Sequence, residues 1–316
     1  MNTSFALKKK ILSVAVASAF TVVTPAAMAV TIQATANYSI DGAPYAPVDS
    51  GVQTAGGVDI LFGDGTYYGS NVFNHTYGDV SGNFGSRASV AGVSSLSGLF
   101  HYTDAITNNS GAAQSYMFNF HVVPGEVSAY AGTSVAGDFA KAGYSIVIRL
   151  NGLSIWNSAY EVTSTSTATY DPLTGSYATV STSSTGVNLG GAPDALGYYS
   201  VPSYDGSIDL GAFAAGELFT LDYQLLAYAE SNVTAGCQWG ATSGEFAGGE
   251  GRYGSGCGAI ARSGDPLSQF PYGATFPGPN TLGVTPQTTS VPEPATLLLL
   301  GAGLAGIGLG RRRWHA

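Results

Sequence analysis

Lysine all but vanishes from this sequence: after Lys8, Lys9 and Lys10 it occurs once, as Lys141. Charged residues of every kind make up only 10% of the 316 residues, which removes the Glu- and Lys-rich surfaces that helical bundles and coiled coils carry. Positive charge is the scarcer sign. Six of the eleven Lys and Arg sit at the chain ends, leaving Arg87, Lys141, Arg149, Arg252 and Arg262 against all twenty acids. The chain between the end clusters therefore carries a net of about -15, a field that repels phosphate backbones and excludes nucleic acid as a partner. Catalytic signatures are missing too: no serine lies in G-x-S-x-G and no H-E-x-x-H occurs, so nothing marks the chain as an enzyme and no cofactor is expected.

What is abundant points to sheets. Gly reaches 44 and Tyr 19, a composition of turns and pleated surfaces, and one all-β domain over residues 30–270 is the economical reading. Tyr144 to Leu150, then Asn151-Gly152, then Leu153 to Trp156 spells a hairpin with a type I′ turn. Further strands are expected at Thr31 to Ile40, Val58 to Phe62, Gln114 to Val123 and Leu218 to Ala229. Tyr116, Phe118 and Phe120 recur at every second position, which turns one face of their strand to the core. Two Ser/Thr-rich runs, Val162 to Thr169 and Tyr177 to Thr185, flank the turn at residues 171–175 and suggest a projecting hairpin with hydroxyls on both faces. The whole suggests an antiparallel β-sandwich, jelly-roll-like.

Both ends carry addresses. Lys8 to Lys10, the apolar Ile11 to Val23 and Ala27-Met28-Ala29 form the three parts of a signal peptide over residues 1–29, cut after Ala29 by signal peptidase so that the mature chain begins near Val30. An apolar core of that length is shorter than the ~20 residues a spanning helix needs. Export makes a disulfide between Cys237 and Cys257 the expected state of the two cysteines, closing a Gly-rich loop that holds Trp239 and Tyr253. Those two aromatics are a candidate sugar-stacking platform, against the plainer reading that they cap the end of the sandwich.

His75, His101 and His121 lie too far apart in sequence to suggest a metal site. Asp59 with Asp64, and Asp205 with Asp209, come nearest to calcium-type acidic turns and leave room for a structural Ca²⁺, but neither spells an EF-hand. A carboxylate pair for glycoside hydrolysis is a spatial feature that spacing cannot reveal.

From Pro271 the chain turns proline-rich, an extended linker over residues 271–290. Pro292-Glu293-Pro294 follows, then an apolar run from Ala295 to Gly310, then Arg311, Arg312 and Arg313. As a helix that run measures about 24 Å, a thin transmembrane span stopped by arginines that stay in the cytoplasm. Its Gly301 to Gly306 spells G-x-G-x-x-G, but a dinucleotide fingerprint needs a following helix and an acid about 20 residues on, and the chain stops ten residues later.

Residues 291–316 resemble the PEP-CTERM sorting signal, with the Pro-Glu-Pro motif, short helix and basic cluster in the family's order. The resemblance implies that a membrane exosortase recognises Pro292, Glu293 and Pro294 and removes the helix. The body would then pass transiently through the inner membrane to the cell surface or the extracellular matrix. It implies association with exopolysaccharide and biofilm, and it is silent on the body. A surface or matrix protein is the leading expectation, with a lectin-like carbohydrate-binding module and a secreted glycoside hydrolase as alternatives.

Overall fold

The computed structural model describes residues 30–65, 69–174, 176–191, 197–236, 257–264 and 280–287. Within them the chain forms two antiparallel sheets and no helix. Sheet 1 runs β12 (Ser176–Gly186), β11 (Leu153–Asp171), β10 (Phe139–Leu150), β15 (Leu218–Asn232), β7 (Val93–Thr107), β1 (Thr31–Ile40), with the short β2 (Ala43–Pro44) and β3 (Val48–Asp49) on its edge. Sheet 2 begins with β4 (Gly57–Gly65), β5 (Asn71–Asp79) and β6 (Asn83–Ala91). Beyond β6 come three positions, each filled by two short strands: β16 (Gly258–Ser263) with β17 (Asn280–Pro286), β9 (Gly125–Tyr130) with β8 (Gln114–Val122), and β13 (Tyr198–Val201) with β14 (Tyr204–Phe213). Proline explains two of the breaks. Pro124 between β8 and β9 and Pro202 between β13 and β14 lack the N–H that an unbroken ladder needs.

Period-2 sequence becomes period-2 burial. Along β7 and β15 every second residue is buried: Leu96, Phe100, Tyr102 and Ile106 on one, Phe219, Leu221, Tyr223, Leu225 and Ala227 on the other. These faces meet the buried face of sheet 2 in one continuous core, of which Phe84, Phe100 and Tyr223 form the centre. Phe84 stacks on Phe100 at 5.1 Å and meets Tyr223 edge-on at 4.8 Å. Phe100 also lies on Gly78 of β5, where an added Cβ would fall 2.1 Å from the ring. Beside it, Gly98 clears space for a buried polar ladder in which Asn74, Thr76 and Ser86 bond one another and the backbone of Ile60 and Gly98.

The hairpin turn at Asn151-Gly152 has φ of 51° and 80°, both in the left-handed region that a type I′ turn requires. Its second strand does not stop at Trp156: β11 is 19 residues long in all and absorbs the first Ser/Thr-rich run. The expected projecting hairpin is therefore part of sheet 1, paired from Ser158↔Gly186 to Ser166↔Ala178, and its hydroxyls are not solvated on both faces. Ser158, Ser164, Ser166 and Ser176 are buried. Ser164 accepts from Ala131 N, while Ser166 accepts from Thr133 N and donates to Thr133 O, which ties the hairpin to the turn after β9. Hydroxyls serve inside a sandwich when a loop of the opposite sheet presents backbone groups to them.

Two further expectations change. Consecutive strands stay within one sheet in β4–β5–β6 and β10–β11–β12, a meander pattern unlike the double Greek key of a jelly roll. Residues 280–286, expected in the linker, are extended as foreseen but form β17 inside sheet 2, because Leu282 and Val284 alternate and pack on the core. Among the described residues no helix is long and apolar enough to cross a membrane. The signal helix and the terminal span lie outside the described residues.

Gly78→Ala should lower unfolding free energy by about 1 to 3 kcal/mol in denaturant titration, because the new methyl overlaps the Phe100 ring. Phe100→Leu should cost stability alone yet make Gly78→Ala nearly neutral in the double variant.

Burial pushes the phenols of Tyr102, Tyr199 and Tyr223 above their ordinary value of 10.0. An unfolded chain ionises these tyrosines near that value while the folded one keeps its protons, so their contribution is intact below it and is lost as pH rises above it. Alkaline titration should show part of the phenolate absorbance appearing together with loss of the β-sheet circular dichroism, not before it.

Candidate functional site

The core claims one face of each strand, so candidate chemistry must come from the outward faces. On β8 the inward residues are Tyr116, Phe118, Phe120 and Val122, which turns Asn119 and His121 outward. β14 places Asp205 opposite His121 and Ser207 opposite Asn119. From the other side β17 sets Thr281 opposite His121 and Gly283 opposite Asn119. With no side chain at Gly283, a groove of about 400 Å³ opens, lined by these six residues together with Phe120, Gly206 and Leu282.

Its polar groups are organised. His121 Nδ1 lies 2.6 Å from Asp205 Oδ1, Ser207 donates to Asn119 Oδ1 at 2.9 Å, and Asn119 Nδ2 donates to Thr285 at 3.2 Å. Hydroxyl, amide and carboxylate groups in one shallow groove offer donors and acceptors to a polyhydroxylated ligand. The lining contains a single carboxylate, Asp205, whereas glycoside hydrolysis uses two.

A second feature crosses the same sheet. Register aligns His75 with Arg87, Arg87 with Arg262 and Arg262 with Glu126. These four project from the face opposite to Phe84 and Ala88, yet all are buried. Arg262 Nη2 meets Glu126 Oε2 at 2.5 Å, His75 Nε2 lies 3.3 Å from Asp59, and the Arg87 guanidinium sits 4.6 Å over the Phe73 ring. Desolvated and aligned by register, this row spans four strands, and its groups are already engaged with Glu126, Asp59 and Phe73.

The outward face of sheet 1 is polar and half-buried. Asp222 accepts from Thr103 at 2.7 Å and faces His101 at 3.3 Å. Lys141 pairs with Glu230 at 2.8 Å, and that hydrogen bond raises its pKa. Tyr228 lies over Gly143 and donates to Glu161 at 2.9 Å; burial first, then Glu161, pushes its phenol up.

All three histidines of the described residues thus face an aspartate across a strand boundary, a pairing no sequence spacing shows. The acidic turns do not converge. Asp59 serves His75 while Asp64, five residues on and so on the other face of β4, caps Gly65 N. Asp205 serves His121 while Asp209 caps Gly211 N at a bulge. Among the described residues no three His, Cys, Asp or Glu gather as a metal site would need. Cys257 is buried immediately before β16, and no described cysteine is free. Cys237, Trp239, Tyr253, Ala27, Ala29, Pro292, Glu293, Pro294 and Arg311 to Arg313 lie outside the described residues.

The groove was missed by sequence reasoning. Alternation on β8 turns Asn119 and His121 outward, which was readable; that β14 and β17 flank them was not.

No curated protein matches the chain. A family model described as the PEP-CTERM protein-sorting motif matches residues 290–313, which contain the Pro-Glu-Pro sequence, the apolar run and the arginines. The chain therefore ends in a PEP-CTERM protein-sorting motif, the mark of an exported protein handled by an exosortase system.

Proposed function

We propose that this protein is a non-enzymatic component of the cell surface or extracellular matrix, cut from the membrane by an exosortase and retained among exopolysaccharide through the groove on sheet 2. The match at residues 290–313 carries the sorting part of this reading. An apolar run too short for a comfortable span, stopped by three arginines, suits a temporary tether. The oxidising compartment then makes Cys237 the partner of buried Cys257, stapling the loop between β15 and β16.

Binding is the part supported by the groove. Saccharides are held by side-chain amides, carboxylates and hydroxyls that replace water at sugar hydroxyls, and Asn119, His121, Asp205, Ser207 and Thr281 present that set on rigid strands. This favours a lectin-like module over a glycoside hydrolase, since the groove has one carboxylate and His121 holds it.

Replacing Pro292, Glu293 and Pro294 together by alanine should leave the protein in the membrane fraction with its tail attached, as read by fractionation and intact mass. Release of a shortened species at the wild-type rate would overturn the sorting reading. Asn119→Ala with Asp205→Ala should reduce retention on the producing cell's own exopolysaccharide by at least about tenfold, as two lost polar anchors imply. The same pair should shift Tm little, because Asn119, His121 and Asp205 project from the outward face. Unchanged retention would remove the groove from the account.

A further inference from the structure

One buried group in the sandwich has no use in the reading above. Asp104 projects from β7 into the interior, is 7% exposed, and its Oδ1 has no hydrogen-bond partner. It lines a cavity of about 220 Å³ together with Ser110, Gln114, Tyr116, Val284 and Pro286, and no Lys, Arg or His is among the lining residues. Topology makes this cavity. β1 pairs with β7 only as far as Thr31↔Thr103, and β6 pairs with β17 only at Asn280 and Thr281, so each sheet loses a neighbour at the same corner. A carboxylate there gives up its water without gaining a counter-ion, which is costly unless a cation arrives.

The register points to the source of the cation. Extending the β1–β7 ladder by one step sets Val30 opposite Asp104. Ile32 and Ala34 of β1 face the core, as do Tyr102 and Asp104 of β7, so Val30 and Asp104 share the inner face. Val30 itself packs against the core. Opposite residues of an antiparallel pair have Cα atoms about 4.5 to 5.5 Å apart, so a ladder continued by that one step would bring the Val30 nitrogen within ion-pair reach of the carboxylate.

We propose that the Asp104 cavity is a binding site for a primary ammonium supplied in cis, the α-amino group of Val30 created by signal-peptide cleavage. The proposal rests on the cleavage after Ala29 read from the sequence. Hydrolysis of the Ala29–Val30 amide consumes one water: hydroxyl goes to the Ala29 carbonyl carbon, and hydrogen to the Val30 nitrogen as the C–N bond breaks. The new acid's proton passes to the amine, leaving Ala29 as a carboxylate and Val30 as an ammonium. Before cleavage the same nitrogen is a neutral amide that cannot balance Asp104. Processing therefore completes the corner of the sandwich, and the domain reaches full stability only after it has left its leader behind.

The test uses the exported protein, in its wild-type form and with a Ser-Gly insertion between Ala29 and Val30 that starts the mature chain two residues early. N-terminal mass determination first asks whether the wild-type chain begins at Val30; any other start overturns the cleavage reading and is recorded separately from the ion pair. With Val30 first, the insertion and Asp104→Asn should each lower Tm by about 5 °C, and the two together little more than either. Full additivity, or Asp104→Asn without effect in the Val30-start protein, would overturn the pairing. Should Asp104→Asn fail to accumulate, acylation of the α-amine decides. It should run at least about tenfold slower in the wild-type protein than in the insertion variant, since a paired and protonated amine is a poor nucleophile; equal rates would overturn the proposal.

Discussion

The Phe100 ring lying on Gly78 sets how closely the two sheets approach, and most other features follow from that contact. A sandwich core is one layer of interdigitating side chains, about 10 Å thick. Filling it with Phe84, Phe100, Phe118, Phe120 and Tyr223, whose rings stack or meet edge-on with centroids 4.8 to 6.3 Å apart, demands that some opposite positions be empty. Glycine provides the vacancy at Gly78 and again at Gly98, where the polar ladder of Asn74, Thr76 and Ser86 occupies it. A chain with 44 glycines is thus not merely rich in turns; some of its glycines shape the interior.

With the interior given to aromatics, charge other than Asp104 is largely displaced to the outward faces and organised there by register. His75, Arg87, Arg262 and Glu126 come from four strands but form one row because antiparallel ladders align them at single Cα steps. Buried ion pairs contribute little net stability against their desolvation cost, yet losing one partner is expensive. The row therefore acts as a register lock: a one-residue slip of β16 would bring Arg262 to the core face and leave Glu126 without its guanidinium. The groove at Asn119 and His121 lies on the same face, where β8 and β17 run beside each other and Gly283 leaves room. A rigid polar platform of this kind is built by the same pairing that excludes slippage.

Local signals in the sequence read well wherever local physics decides. β1 matches its expected bounds of Thr31 to Ile40, and the Asn151-Gly152 turn carries the positive φ pair its residues favour. The alternation at Tyr116, Phe118 and Phe120 faces the core. What stayed hidden is what register and long-range pairing decide. The Ser/Thr-rich hairpin gave no sign that Ser164 and Ser166 would be enclosed, because the backbone groups that satisfy them belong to Ala131 and Thr133, far away in sequence. Nothing local placed Asp205 and Thr281 on either side of His121, and composition read the proline-rich stretch as a linker although Leu282 and Val284 carry a strand's alternation. A charged residue's partner is legible only when both lie on one element, and in an antiparallel sandwich they seldom do.

The position of β17 bears on how a tethered protein can be released intact. β17 pairs with β8 along Thr281 to Pro286 and with β6 only at Asn280 and Thr281, so where the chain leaves the sheet β8 is its one partner among the described strands. Five residue steps separate Gln287 from Pro292, a reach of at most about 18 Å when fully extended. Under the proposed sorting, cleavage at the motif falls beyond the hydrogen bond from Gln287 N to Ser115 O, the furthest along the chain among the described residues. Each backbone bond of β17 lies perpendicular to the strand, so a pull along the tail loads the bonds to β8 together and not one after another. Under the proposed sorting, β17 would meet tension on the tail with its ladder to β8 loaded in shear.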